Sequence, residues 1–293
     1  MIYKEFILRS HQGEKLRADL RYTENGTKKP VIVFLHGFKG FKDWGPFPSI
    51  RERLAAAGFI SIGFNFSHNG IGEDLMNFTE PDRFAENTFS LELDELGDVI
   101  GEIIRLENIP IASDEIHSDA IALHGHSRGG SVAILGARQH RMIRAVAAWS
   151  PPCYFNRYTE RQKEEWRGLG YVEVQNSRTG QTMRLNVTLL DDIEKNKERL
   201  DILTAAQMLT SQEKGLLLIS GSEDLTVKAE ESQKIFDSSV KQFAELQIIS
   251  QTGHTFGAEH PWKEIPPAMG TALEMTIAFF EKYLVIHPVP FSE

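Results

Sequence analysis

The stretch Ala120-Ile121-Ala122-Leu123-His124-Gly125-His126-Ser127-Arg128-Gly129-Gly130 constrains the chain more than any other. An apolar run of β type breaks at a small-residue turn carrying one serine between glycines. Ser131-Val132-Ala133-Ile134-Leu135-Gly136-Ala137-Arg138 then continues with a helix-compatible pattern. A strand that turns sharply into a helix at such a serine is a nucleophile elbow: the serine takes a strained backbone conformation, and flanking glycines remove Cβ atoms that would collide there. A Gly-x-Ser-x-Gly match alone also describes a surface turn, so the reading rests on the strand before it and the helix after it.

The rest of the chain supplies the sheet such an elbow needs. Tyr3 to Leu8 and Lys15 to Tyr22 read as an N-terminal antiparallel pair, separated by Ser10-His11-Gln12-Gly13. From Pro30 the pattern alternates. Strands are expected at Val31 to Leu35, Ile60 to Phe66, Ala120 to Leu123, Ala145 to Trp149, Leu216 to Ser220 and Leu246 to Ile249. Helices are expected at Ile50 to Ala57, around Leu91 to Glu107, from the elbow to about Gln139, and around Ala229 to Gln242 and Met269 to Tyr283. This is an α/β fold: a mostly parallel eight-stranded sheet with helices on both faces, whose ligands bind where loops gather at the carboxyl ends of the strands.

One segment departs from the alternation. Tyr154 to about Ala206 is highly charged, and within it Tyr171-Val172-Glu173-Val174 and Thr182-Met183-Arg184-Leu185 alternate around Asn176-Ser177-Arg178-Thr179-Gly180, a hairpin signature. The organisation expected is a core of residues 1–150 and 207–293 with an inserted cap at 151–206. A decorative surface insertion is the competing reading.

At 293 residues and 41% hydrophobic content the chain can bury a large core. A net charge of -9 argues against nucleic acid or an anionic membrane as partner, because phosphates demand clustered Lys and Arg. The single cysteine, Cys153, cannot form an intramolecular disulfide, and no paired Cys/His spacing suggests a zinc site. With neither a signal-peptide pattern after Met1 nor about 20 consecutive apolar residues anywhere, a cytoplasmic protein without a membrane span is expected.

A serine hydroxyl is a weak nucleophile, so Ser127 needs a base, and the base needs an orienting acid. Both follow the elbow along the chain in a unit of this kind. The acid is expected at Asp224, where Leu216-Leu217-Leu218-Ile219-Ser220-Gly221-Ser222-Glu223-Asp224 ends an apolar run in a polar turn, with Glu223 as competitor. Of ten histidines, His254 in Ser250-Gln251-Thr252-Gly253-His254-Thr255-Phe256-Gly257 follows a late strand in a glycine-containing loop and is the expected base. His260, His36, His124 and His126 read as packing or hydrogen-bonding residues, and Cys153 lacks an elbow. Oxyanion donors are expected from the backbone N–H groups of Arg128 and of Phe38 in His36-Gly37-Phe38-Lys39-Gly40. The Arg128 side chain has no role legible in the sequence.

With these features in order, the chain resembles the α/β-hydrolase superfamily over essentially its whole length, and His36-Gly37-Phe38-Lys39-Gly40, Gly125-His126-Ser127-Arg128-Gly129-Gly130 and a cap after the sixth strand resemble its cinnamoyl or feruloyl esterase and serine-aminopeptidase-like branch. The resemblance implies hydrolysis of a small ester through an acyl-serine intermediate without metal or cofactor. Aromatic residues near the expected loops, Phe41, Trp149, Tyr154 and Phe256 foremost and Phe38, Trp44 and Phe155 beside them, suit an apolar or aromatic acyl group, although core packing accounts for them equally. An aminopeptidase needs a cap carboxylate for the substrate amine, for which Glu160, Glu164, Glu165 and Glu173 are available. Thioester hydrolysis and a noncatalytic receptor on the same fold are the remaining alternatives.

Overall fold

In the computed structural model, which describes residues 1–176 and 179–284, alternate side chains of one strand enter two separate cores. On β3 (Lys29–Leu35), Val31, Val33 and Leu35 join one apolar cluster while Ile32 and Phe34 join another. A strand buried on both faces reads as an unbroken apolar run, which is why the period-2 signal vanishes there. The chain enters through an antiparallel pair, β1 (Ile2–Arg9) and β2 (Lys15–Tyr22). Then follow α1 (Phe47–Ala56), β4 (Ile60–Phe64), α2 (Pro81–Ala85), α3 (Phe89–Arg105), β5 (Ile116–His126), α4 (Arg128–Gln139) and β6 (Ile143–Trp149).

Next come α5 (Glu160–Leu169), β7 (Tyr171–Gln175), β8 (Thr182–Asn186), α6 (Val187–Lys195) and α7 (Ile202–Ser211), and the chain closes with β9 (Gly215–Gly221), α8 (Ala229–Ser238), β10 (Ala244–Ile249) and α9 (Pro267–Leu284). The main sheet has eight strands in the order β1-β2-β4-β3-β5-β6-β9-β10, parallel from β4 onward. Helices α1 and α9 cover one face; α3, α4, α7 and α8 lie over the other. The expected eight-stranded, doubly covered architecture is present.

Between β6 and β9 the charged segment folds on itself. The expected hairpin forms, with Tyr171 opposite Asn186 and Gln175 opposite Thr182; its turn residues Ser177 and Arg178 lie outside the described residues. Trp166 of α5 is buried against it and donates from Nε1 to Leu185 O at 3.0 Å. The expected end of this insertion at residue 206 falls inside α7, which starts at Ile202 behind an Asp201 N-cap. Ile202, Ala205, Ala206 and Leu209 recur at helical spacing and are buried as α7 packs on α4 and α8, so α7 belongs with the sheet layers. Among the described residues no helix is long and apolar enough to cross a membrane.

Candidate active site

The loops at the carboxyl ends of β3, β5, β9 and β10 meet at Ser127. The serine stands between β5 and α4 at φ 55° and ψ -125°, a left-handed conformation that a non-glycine residue keeps only when its surroundings enforce it. They do so here. Ser127 N–H donates to Trp149 O at 2.7 Å, and a Cβ at Gly125 or Gly129 would overlap the backbone carbonyls of Gly129 or of Leu35 and His36.

His254 brings Nε2 to 2.9 Å from Ser127 Oγ and Nδ1 to 2.7 Å from Asp224 Oδ2. An ionised carboxylate only accepts, so Nδ1 carries the proton and Nε2 is free to accept from the serine hydroxyl. Asp224 is buried, and its other oxygen accepts from Thr226 N at 2.8 Å and Val227 N at 2.9 Å. Burial pushes this carboxyl up, but the hydrogen bond from His254 and those from the two amides outweigh it, holding Asp224 below its ordinary range. Glu223, its competitor in the sequence, is exposed and reaches Thr252 only through its own backbone N–H, at 2.9 Å. The three residues expected at separate loops are thus brought into one hydrogen-bonded chain.

Three of the other histidines, His36, His126 and His260, hold backbone, while His124 is buried in ring contact with Phe34 and Trp149. His36 donates from Nδ1 to Gly37 O at 3.0 Å and accepts at Nε2 from Phe66 N at 3.4 Å, and burial lowers its pKa to about 4. His126 donates from Nε2 to His254 O at 2.9 Å and is driven down to about 3 by burial and the neighbouring His254. His260 accepts Gly45 N–H at 2.8 Å. Cys153 is buried, its thiol pushed up to about 11 by burial and then by Glu231, and lies at another cavity. The amides of Phe38 and Arg128 donate to no acceptor among the described residues.

A cavity of about 580 Å³ opens at Ser127, walled by Phe38, Trp44, Phe47, His126 and His260, with Lys39, Asn176, Thr226, Thr255 and Glu259 among its polar members. None of the four foremost aromatic candidates lines it. Phe41 is buried against His260; Trp149 turns to the α9 face of β6, where Nε1 donates to Thr276 Oγ1 at 3.0 Å; Phe256 packs under Trp149 at 5.5 Å. Tyr154 is 46% exposed beside the second cavity. Proximity in sequence to a strand end does not set the direction of a side chain, and a one-residue step reverses it. Glu160, Glu164, Glu165 and Glu173 are all exposed and outside the lining. Among the described residues no cluster of His, Cys, Asp or Glu is placed to hold a metal ion.

The sequence reading missed Glu92, which pairs with Arg128 Nη2 at 2.7 Å beneath the elbow. The available signal was its place at helical spacing between Phe89 and Leu96, a carboxylate in the apolar stripe of α3.

The Esterase family model matches residues 13–273. Among solved structures, the esterase domain of a Rhodothermus marinus protein is 18% identical, with a TM-score of 0.64 over 97% of this chain and 100% of that one. Est1E from Butyrivibrio proteoclasticus, solved with ferulic acid bound, is 19% identical, with a TM-score of 0.67 over 94% of this chain and 98% of that one. The α/β hydrolase GrgF from Penicillium sp. sh18 is 16% identical, with a TM-score of 0.68 over 98% and 100% of the two chains. These likenesses are of fold, and the fold is that of the α/β-hydrolases. No match is found among curated proteins.

Proposed function

The chain belongs to the Esterase family, and from that premise we propose that it is a serine carboxylesterase acting on small esters with an apolar or aromatic acyl group. The observation that carries this reading is the hydrogen-bonded chain from Ser127 Oγ through His254 to Asp224, at 2.9 and 2.7 Å. Ser127 Oγ bonds to the ester carbonyl carbon as His254 Nε2 takes its proton, and the carbonyl electron pair moves onto oxygen. The N–H groups of Phe38 and Arg128 receive that oxyanion; one such donor is worth about 10²–10³ in kcat. The intermediate then collapses, the bond to the alcohol oxygen breaks, and the imidazolium returns its proton to the leaving group. Water, activated by the same His254, cleaves the acyl-serine and releases the acid.

The aromatic wall of the cavity supports the acyl preference, and the ferulic acid bound by the similarly folded Est1E makes methyl ferulate a reasonable probe. The segment between β6 and α7 acts in this reading as a cap, since Asn176 and the Lys39 Nζ bond to Gln175 O at 2.8 Å bring its hairpin to the cavity edge. A peptidase reading has one residue in its favour, Glu259, the carboxylate in the cavity lining among the described residues.

The test is hydrolysis of short and long p-nitrophenyl esters, methyl ferulate, a thioester and aminoacyl-nitroanilides by wild type and Ser127→Ala. Ester turnover that falls about 10⁴-fold or more in Ser127→Ala, with unchanged unfolding, is expected. Wild-type-like turnover in that variant refutes the mechanism. Aminoacyl-nitroanilide cleavage dependent on Glu259 moves the assignment to a peptidase, and no serine-dependent turnover of any substrate moves it to a receptor.

A further inference from the structure

Each of the two proposed oxyanion donors also carries a side chain, and the two side chains touch. The Arg128 guanidinium lies over the Phe38 ring, Cζ to centroid 5.0 Å, and over Phe89 at 5.6 Å. Its charge is held by Glu92 of α3, whose Oε1 receives Arg128 Nη2 at 2.7 Å and Asn87 Nδ2 at 2.8 Å. Phe38 stacks in turn on Phe84, at 5.6 Å and 29°. The backbone around Phe38 has little room on the elbow side, because a Cβ on Gly37 would come within 3.0 Å of Ser127 Cβ.

Both members of the pair are buried, and among the described residues Arg128 Nε and Glu92 Oε2 have no hydrogen-bond partner. A buried ion pair with unmet polar atoms is a weak source of stability, since desolvation cancels much of the attraction. Planarity is what a guanidinium adds over other cations: it lies flat on an aromatic face while still bonding a carboxylate. Here the aromatic face belongs to the loop that supplies the other amide.

We propose that Arg128, anchored on Glu92, is a positioning residue that fixes the Phe38 N–H relative to its own N–H, so that both donors converge on one oxyanion. This inference rests on the serine-esterase reading of the same site. The side chain lies outside the cavity lining and acts through the Phe38 ring. The juxtaposition gives Arg128 two functions, a backbone donor at the first residue of α4 and a clamp on the partner loop.

Arg128→Lys keeps a positive charge for Glu92 but loses the flat surface over Phe38, and Phe38→Leu removes the ring while keeping the amide. A clamp predicts that each lowers kcat by about 10–10²-fold, with KM within about threefold of wild type. Combined, they cost no more than the larger single effect, because both remove one interaction. Affinity for a trifluoromethyl ketone, which forms a tetrahedral adduct on Ser127, falls in parallel, while affinity for the product acid holds. A pair that only pins α3 to α4 predicts a lowered unfolding midpoint with kcat per folded molecule unchanged. Unchanged kcat and ketone affinity in Arg128→Lys overturn the proposal, as do losses that multiply in the double variant. Absence of Ser127-dependent turnover in wild type instead removes the esterase reading, and the clamp with it.

Discussion

Two buried carboxylates brace the loop after β3, and they are solvated in opposite ways. Asp19 of β2 receives Arg51 Nη1 at 2.6 Å, Lys42 Nζ at 2.7 Å and Arg21. Glu92 receives one guanidinium and one amide on a single oxygen, and its other oxygen has no partner among the described residues. Burial pushes both carboxyls up. At Asp19 the cations of Arg51, Lys42 and Arg21 outweigh it and hold the group below its ordinary range, whereas at Glu92 burial prevails over Arg128 and Asn87 and the group is raised. A buried charge outnumbered by its partners is a fixed strut; one matched by a single cation is held less firmly. The strut fixes the loop at Lys42, and the marginal pair meets it at Phe38, beside Ser127.

The largest expected effect breaks the strut. Asp19→Ala leaves the buried Arg51, Lys42 and Arg21 without their shared carboxylate and should cost about 3–5 kcal/mol, read from the urea midpoint. A loss below about 1 kcal/mol would erase the distinction between the two clusters.

Breaking the marginal pair should cost less, because a lone Glu92 can take up a proton. Arg128→Met is expected to lose about 1–3 kcal/mol, and adding Glu92→Gln should restore part of it. If the single variant matches Asp19→Ala and the second substitution restores nothing, Glu92 is as firmly ionised as Asp19.

The smallest effects have opposite signs in pH. Asp19 is depressed in the fold, so its contribution is present above the unfolded value of about 3.9 and is lost as pH falls through the native value. Glu92 is raised, so its contribution is fully present below about 4.3 and is lost as pH rises through the native value. Glu95, one turn along α3, shifts the same way, pushed up to about 7 by burial against the hydrogen bonds of Ser67. Urea midpoints followed across pH should therefore flatten on the acid side in Asp19→Asn, and should lose the decline between about 4.3 and 7 in Glu92→Gln with Glu95→Gln. Parallel profiles for the two sets would contradict the comparison.

Most of the sheet was legible because doubly buried strands announce themselves as apolar runs, and the elbow because its glycines and serine have no freedom to differ. Strand and helix ends were less so. The expected strand to Phe66 stops at Phe64, where Asn65 N turns to Arg17 O and Phe66 N to His36. The helix expected to Gln242 stops at Ser238, where the hydroxyls of Ser238 and Ser239 both bond Ile235 O at 2.8 Å. Ser127, His254 and Asp224 could be named from order along the chain, whereas the cavity walls could be named only in part: Phe38 and Trp44 line the cavity, but Trp149 and Phe256 are turned away by strand register and loop path. Glu92 and Arg128 meet across two helices, a pairing that no local pattern encodes.

The central claim is that Ser127 carries the acyl group. Intact-mass measurement in the first turnovers with p-nitrophenyl acetate, followed by peptide mapping, tests it directly. The account predicts one acetyl group per chain, located on Ser127, appearing with a burst of nitrophenolate and absent from Ser127→Ala. Ester turnover without a covalent adduct, or with the adduct on another residue, would contradict it.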